Sequence, residues 1–187
     1  MKPQIVMVAG PNGAGKSTYY ELFLMSTGLP LVNADRLVAA FKLDAYEAAK
    51  VADLLRREYL LRGLSFVTET VFSDPVGDKL NFLRQAVDLD YEVRLIYIGL
   101  ASPKLAQARV AFRIAQGGHA VPAEKITARY RRSLKNLAQA VTFVPTVSIY
   151  DNSLADPSYQ LVAEIKNGKA VRRQNGRLPG WAAPILE

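Results

Sequence analysis

QIVMVAGPNGAGKST, residues 4–18, joins a short apolar run to a glycine-rich loop. The apolar run, residues 4–9, is typical of a strand buried on both faces of a parallel sheet. Residues 10–18 satisfy the pattern G-x-x-x-x-G-K-[ST], and residues 16–26 are predicted to form a helix. A strand, this loop and a helix in that order predict a P-loop nucleotide-binding site.

The loop predicts ATP and Mg²⁺ as cofactors because each of its residue types has a physical role. Glycines let successive backbone N–H groups turn toward one anion, and the helix that follows adds its positive N-terminal end. Lys16 is predicted to contact the β- and γ-phosphates, and the Ser17 hydroxyl to ligate Mg²⁺. The predicted nucleotide-binding residues are Gly10, Asn12, Gly13, Ala14, Gly15, Lys16, Ser17, Thr18 and, from a later helix, Arg109.

Length and composition narrow the class of protein. The 187 residues predict a single domain, residues 1–187, and the net charge of +7 suits a polyanionic partner such as nucleic acid, a membrane surface or a phosphorylated small molecule. The absence of Cys excludes disulfides and Cys nucleophiles, and the single histidine, His119, excludes a multi-histidine metal site. No apolar run is long enough for a transmembrane helix, so we expect a cytoplasmic protein.

Strands alternate with helices along the chain, which predicts an α/β fold with a five-stranded, mostly parallel sheet flanked by helices. The predicted strands are residues 4–9, 31–33, 65–71, 91–100 and 146–152. The predicted helices are residues 16–26, 44–62, 76–87, 103–116 and 122–140. Asn167-Gly168 predicts a C-terminal β-hairpin, within a hairpin and tail of about residues 158–187.

Two carboxylates follow or end predicted strands, which places them at the same sheet edge as the loop. Asp35 is a candidate general base for a substrate hydroxyl, and its alternative role is the N-cap of the helix that begins near Arg36. Glu69 could hold a water on Mg²⁺, accept hydrogen bonds from a substrate together with Thr70, or be only an exposed strand end.

A helical lid is predicted over about residues 103–135. Its candidate cations are Arg109 and Arg113 on one polar stripe of the first helix, and Lys125, Arg129 and Arg132 on one face of the second. The turn between the helices contains Gly117-Gly118 and His119, whose role is either structural or ligand-binding. The alternative for these arginines is a solvated surface.

Two features near the C-terminus have weaker signals. Asp151-Asn152 ends the fifth predicted strand and could lie near the nucleotide base. Arg172, Arg173 and Arg177 could bind nucleic acid, but no aromatic side chains are interleaved with them, which favours a solvated hairpin edge.

Together these motifs resemble the zeta-toxin-like P-loop kinase family, in its small stand-alone members. The resemblance rests on GPNGAGKST, NAD at 33–35, TET at 68–70 and RVAFR with GGHAVP and RYRRSL in the lid, and it covers about residues 3–152. It implies a fold like that of small-molecule kinases and phosphorylation of UDP-N-acetylglucosamine, a UDP-amino sugar, at a sugar hydroxyl. It also implies Lys16 and Ser17 for ATP-Mg²⁺, Asp35 as the base, Glu69 and Thr70 for the acceptor, and Arg113 and Arg129 for the transferring phosphoryl group.

The sequence therefore predicts an ATP-dependent phosphotransferase that acts on a hydroxyl of a small molecule. Its predicted catalytic residues are Lys16, Asp35, Arg113 and Arg129. Two other functions stay open, a nucleotide-binding regulatory ATPase without an acceptor and a polynucleotide kinase. No antitoxin-binding segment is identifiable.

Overall fold

The computed structural model describes residues 2–117 and 121–187, which form one mixed sheet with helices on both faces. The strands are β1 (Gln4–Ala9), β2 (Leu31–Val32), β3 (Phe66–Thr70), β4 (Glu92–Gly99), β5 (Thr146–Asp151), β6 (Gln160–Lys166) and β7 (Lys169–Arg173). The helices are α1 (Lys16–Phe23), α2 (Ala34–Phe41), α3 (Ala45–Leu61), α4 (Asp78–Asp88), α5 (Pro103–Ala115), α6 (Ala123–Ala140) and α7 (Ala183–Leu186), with a short 3-10 helix at Met25–Thr27. This arrangement confirms the predicted α/β fold.

The strand order β2-β3-β1-β4-β5-β6-β7 puts β1 at the point where the order reverses. Strand β1 pairs in parallel with β3 on one side and with β4 on the other. Ligands of open parallel sheets bind at such a switch point, beyond the carboxyl ends of the strands. The loop after β1 and the ends of β2 and β3 therefore share one edge.

The sheet has seven strands, so the predicted count of five is wrong. The Asn167-Gly168 hairpin forms as predicted, with both residues at positive φ (49° and 74°). Its first strand then pairs antiparallel with β5, from Thr146 opposite Lys166 to Asp151 opposite Gln160. The hairpin thus extends the sheet, and its outer strand β7 is exposed along its length.

Local sequence explains where two of the helices near the site begin. The Asn33 side chain accepts hydrogen bonds from the backbone N–H groups of Asp35 and Arg36, which caps α2. The Ser102 side chain caps α5 by accepting from the Leu105 N–H, and Pro103 occupies the first turn. No helix within residues 2–117 and 121–187 is long and apolar enough to cross a membrane.

The C-terminal tail contributes to the hydrophobic core. Trp181 is 7% exposed and packs on Gly99, where an added Cβ would lie 2.2 Å from the indole ring. Its ring centroid is 6.0 Å from that of Tyr97, which is fully buried in β4. The tail therefore covers one face of the strand that borders β1.

We expect Trp181→Ala to lower the free energy of unfolding by about 3–5 kcal/mol, because it leaves a cavity against β4 that Gly99 cannot fill. Urea denaturation measures this loss. Phe112→Ala, at a side chain that is 67% exposed, is the matched control and should change the stability by no more than about 0.5 kcal/mol. A loss below about 1 kcal/mol for Trp181→Ala would contradict this account of the tail.

Candidate active site

The loop between β1 and α1 curls around its own backbone, and we call residues 10–17 the phosphate cradle. Gly10 has a φ of 143°, and a Cβ there would lie 2.1 Å from the Ile98 carbonyl oxygen on β4. Gly15 has a φ of 89° and directly precedes α1. Backbone N–H groups at a helix N-terminus have no partner within the helix, which makes this end of α1 suited to an anion.

Lys16 lies inside the cradle, 7% exposed, and its Nζ donates a hydrogen bond to the Pro11 carbonyl oxygen at 3.1 Å. Burial lowers the pKa of its ammonium group below the ordinary value, although the negative charges of Glu69 and Asp35 act in the opposite direction. A bound phosphate chain would add negative charge beside Nζ and so favour the charged form. The environment of Lys16 therefore suits a phosphate ligand.

Glu69 and Ser17, both predicted site residues, are in direct contact. The Ser17 hydroxyl donates to the Glu69 carboxylate, with Oγ 3.0 and 3.1 Å from the two oxygens. The Asn33 side chain also donates to Glu69, at 2.6 Å. A hydroxyl and a carboxylate beside a phosphate cradle are oxygen donors of the kind that Mg²⁺ uses together with substrate phosphates and water. These two residues fit the predicted metal.

Asp35 lies in the first turn of α2 and is exposed at the wall of the cavity. The helix cap is Asn33, so the alternative that Asp35 caps the helix is wrong. Asn33 begins the turn directly after β2 and its side chain reaches the first free N–H groups, which leaves the Asp35 carboxylate outside that role. Thr70, the predicted partner of Glu69, also lines the cavity, but its hydroxyl accepts a hydrogen bond from the Phe72 N–H at 3.1 Å.

Three lid arginines meet the carboxylates around one cavity of about 500 Å³. Arg109 and Arg113 reach it from α5 and Arg129 from α6, and Asp35 and Glu69 line the same cavity. A side-chain hydrogen bond of 2.9 Å from Gln107 to Thr127 joins the two helices. The arginines of both predicted lid helices and the carboxylates at the ends of β2 and β3 therefore share one cavity.

The rest of the predicted lid behaves differently. Arg132 does not line this cavity, because its Nε donates to the Ser73 carbonyl oxygen at 2.8 Å. Lys125 is exposed on α6 and is not part of the cavity wall. The prediction that Lys125, Arg129 and Arg132 serve one site is therefore wrong for Lys125 and Arg132. His119 and Gly118 lie outside the described residues.

A partly buried ion cluster in the wall of the same cavity was not predicted from the sequence. Asp53 of α3 accepts hydrogen bonds from Arg56 and, at 2.6 Å, from Lys79 of α4. Burial alone would raise the pKa of the Asp53 carboxyl, but these two donors outweigh it and hold that pKa below its usual value. Arg56 is 5% exposed and also donates to the Thr68 hydroxyl at 3.2 Å.

The sequence did contain a signal for this cluster. Ala48, Ala52 and Arg56 follow one another at intervals of four residues, so they share one face of α3. The two alanines are buried, and this face is otherwise apolar. A charged residue on a buried helix face needs a partner. That partner could have been sought among the acidic residues of the same helix.

Two side chains beyond β5 also reach the cradle. Asn152 follows β5, is 7% exposed and donates through Nδ2 to the Ala14 carbonyl oxygen at 2.9 Å. The Tyr159 hydroxyl donates to the Gly15 carbonyl oxygen at 2.8 Å. Asn152 was predicted near the nucleotide base; its contact in the structure is with the cradle backbone. Tyr159 was missed, because only the docking of the hairpin on β5 brings it there.

A family model described as Zeta toxin matches residues 1–160 of this chain. Among curated proteins, none has a sequence that matches.

Several solved structures share the fold. A chain of the PezAT chromosomal toxin–antitoxin system of Streptococcus pneumoniae has a TM-score of 0.64 and 17% identity over 87% of this chain and 71% of its own. The AvrRxo1-ORF1:-ORF2 structure with ATP has a TM-score of 0.68 and 14% identity, and the match covers 93% of this chain and 61% of that chain. A candidate kinase from Chloroflexus aurantiacus has a TM-score of 0.59 and 18% identity, and the match covers 84% of this chain and 92% of that chain. At these identities the likeness establishes a shared P-loop kinase fold.

Proposed function

Since this chain belongs to the zeta toxin family of P-loop kinases, we propose that it transfers the γ-phosphoryl group of ATP to a hydroxyl of a small molecule. The observation that carries the proposal is the meeting of three groups around one cavity. They are the cradle with Lys16, the carboxylates Asp35 and Glu69, and the lid arginines Arg113 and Arg129. Phosphoryl transfer depends on positioning and on charge stabilisation, and this set supplies both.

Each group has a distinct part in the proposed reaction. The cradle N–H groups and Lys16 hold the β- and γ-phosphates, while Ser17, beside Glu69, is the protein ligand for Mg²⁺. When bound, Mg²⁺ would neutralise part of the phosphate charge and orient the triphosphate. Asp35 orients the acceptor hydroxyl and takes its proton as the oxygen attacks the γ-phosphorus. Arg113 and Arg129 stabilise the negative charge of the transferring group from the lid side.

The acceptor enters, in this proposal, between the carboxylates and the ion cluster of Asp53, Arg56 and Lys79. Glu69 and Thr70 face that space from the end of β3, and Ser73 and Asp74 continue its wall. UDP-N-acetylglucosamine is the acceptor to test first, because the family resemblance implies it. The chain spans 71% of the PezAT protein and 61% of the AvrRxo1 chain, so the acceptor is tested together with other compounds.

The deciding experiment measures MgATP consumption and analyses the products by mass spectrometry. Separate reactions contain UDP-N-acetylglucosamine, a pooled metabolite extract, an oligonucleotide with a 5′-hydroxyl, or no acceptor, and Lys16→Ala is the blank. We expect a product one phosphoryl group heavier than a small-molecule acceptor, absent from the blank.

The other outcomes identify the other functions. ADP and free phosphate in every reaction, with no phosphorylated product, would overturn the proposal in favour of a nucleotide-binding regulatory ATPase. A product only with the oligonucleotide would make the protein a polynucleotide kinase.

A further inference from the structure

Asn152 and Tyr159 form a connected pair of donors behind the phosphate cradle, and we call them the bracket. Their targets are the carbonyl oxygens of two successive residues, Ala14 and Gly15. The two side chains are also tied to each other, because the Tyr159 backbone N–H donates to Asn152 Oδ1 at 3.2 Å. The bracket is therefore one hydrogen-bonded unit that spans the joint between the loop and α1.

The two hydrogen bonds also determine the direction of backbone N–H groups on the opposite side of the loop, where a ligand would bind. In a trans peptide, the carbonyl and the N–H of the same plane point in opposite directions. When the Ala14 carbonyl is held toward Asn152, the Gly15 N–H points away from it, and the Gly15 carbonyl and the Lys16 N–H are related in the same way. The bracket thus restrains two N–H groups on the side where an anion would bind. It shares the restraint on the Lys16 N–H with α1, because the Gly15 carbonyl also accepts a hydrogen bond from the Tyr19 N–H at 2.9 Å.

The cradle needs such a restraint because of its glycines. Gly13 and Gly15 have positive φ values of 74° and 89°, and glycine adopts many other backbone conformations at little cost. A rotated peptide plane would direct a carbonyl oxygen, instead of an N–H, at the phosphates. The bracket is also closely fitted to Gly15: a Cβ there would lie 2.7 Å from Asn152 Nδ2 and 2.8 Å from the Tyr159 hydroxyl oxygen.

The surroundings of Tyr159 keep it in place as a donor. Its ring packs edge-on against Tyr19 of α1, with 5.3 Å between the ring centroids. Burial raises the pKa of the Tyr159 phenol above its ordinary value, so the hydroxyl keeps its proton at neutral pH. Arg109 adds a further link between the lid and this region, since its Nη2 donates to the Ser153 carbonyl oxygen at 3.3 Å.

We propose that Asn152 and Tyr159 are positioning residues that hold the Gly15 and Lys16 N–H groups toward the phosphate chain of the nucleotide. They act through the backbone of the cradle and do not touch the reacting atoms. This inference rests on the nucleotide binding proposed above. It adds that nucleotide affinity depends on a hydroxyl and an amide located more than a hundred residues along the chain from the motif.

The test compares Tyr159→Phe with Tyr150→Phe by calorimetric titration with two probes, MgATP and magnesium tripolyphosphate. Tyr150→Phe is the matched control, because its hydroxyl interacts with Tyr19 in the same aromatic cluster. We expect Tyr159→Phe to weaken the binding of both probes by the same factor, about five- to tenfold. A loss of this size is the effect of one oriented hydrogen bond. Tyr150→Phe should stay within about twofold of the wild type.

Asn152→Ala is a second, independent test. We expect it to lower the affinity for both probes by about tenfold or more, because it removes hydrogen bonds to both Ala14 and Tyr159. Thermal melts of each variant verify that the fold is retained. Wild-type affinity in Tyr159→Phe or a loss confined to MgATP would overturn the inference, the latter because the residue would then act on the nucleoside. A wild-type protein that binds neither probe would overturn the proposed function as well, so the two failures are distinguishable.

Discussion

Lys16→Ala is expected to lower kcat/KM for phosphoryl transfer by about 10³-fold or more, because it removes the buried charge that we propose contacts the β- and γ-phosphates. The side chain is held inside the cradle by its hydrogen bond to Pro11, so its ammonium is already oriented before a ligand arrives. Removal of a buried, oriented donor costs more than removal of a surface lysine. Steady-state kinetics with MgATP and the identified acceptor measures the loss.

Lys104→Ala is the matched control, because Lys104 is exposed in the first turn of α5. It should leave kcat/KM within about twofold of the wild type. The lost charge in Lys16→Ala is itself disfavoured by burial, so we expect a melting temperature close to that of the wild type. A Lys16→Ala variant that keeps more than a tenth of the activity would place the phosphates outside the cradle.

Asp35→Ala is expected to lower kcat by about 10²-fold or more while MgATP affinity stays within about twofold, the separation that distinguishes a base from a binding residue. The carboxylate belongs to α2 and is exposed at the cavity wall, whereas the cradle is the separate loop between β1 and α1. We therefore expect the cradle to bind MgATP without Asp35. Parallel measurements of kcat and of the MgATP dissociation constant test both halves of the prediction.

Asp78→Ala is the control for this change, since Asp78 also occupies the first turn of a helix and is exposed. Both variants lose the favourable interaction of an acidic side chain with the helix N-terminus, so they should lose similar, small amounts of stability. Asp78→Ala should keep its activity. If Asp35→Ala retained kcat within tenfold, the base would have to be another group, and Glu69 would be the next residue to replace.

The positions of features that depend on short stretches of sequence agree with the predictions. The loop of residues 10–18 and the placement of Glu69 at a strand end follow from short patterns, because the carboxyl ends of parallel strands meet at one edge whatever the rest of the chain does. Asp35 is placed beside the cavity as predicted, but its neighbour Asn33 takes the capping role that the sequence left open for Asp35. Asn33 and Asp35 are both suitable cap residues, and the helix begins at Ala34, which makes Asn33 the N-cap.

Features that depend on docking between distant elements were missed. The Asn-Gly turn predicted a hairpin but carries no information on which sheet edge the hairpin joins, so the extension to seven strands and the contact of Tyr159 were not predicted. The partnership of Asp53 with Lys79 requires the packing of α3 beside α4. The lid cations were grouped by helix face alone, and Arg132 instead serves the turn after β3.

The bracket also bears on the timing of protein synthesis. Its two hydrogen bonds join residues that are 138 and 144 positions apart, so the ribosome makes the ATP motif well before it makes Asn152 and Tyr159. Chains fold from the N-terminal side as they emerge, and a nascent or truncated chain that stops before residue 152 would contain the complete motif without these two restraints. On the role proposed for the bracket, full nucleotide affinity is reached only after residue 159 has been made, and a fragment that ends before Asn152 would bind nucleotide more weakly than the folded kinase.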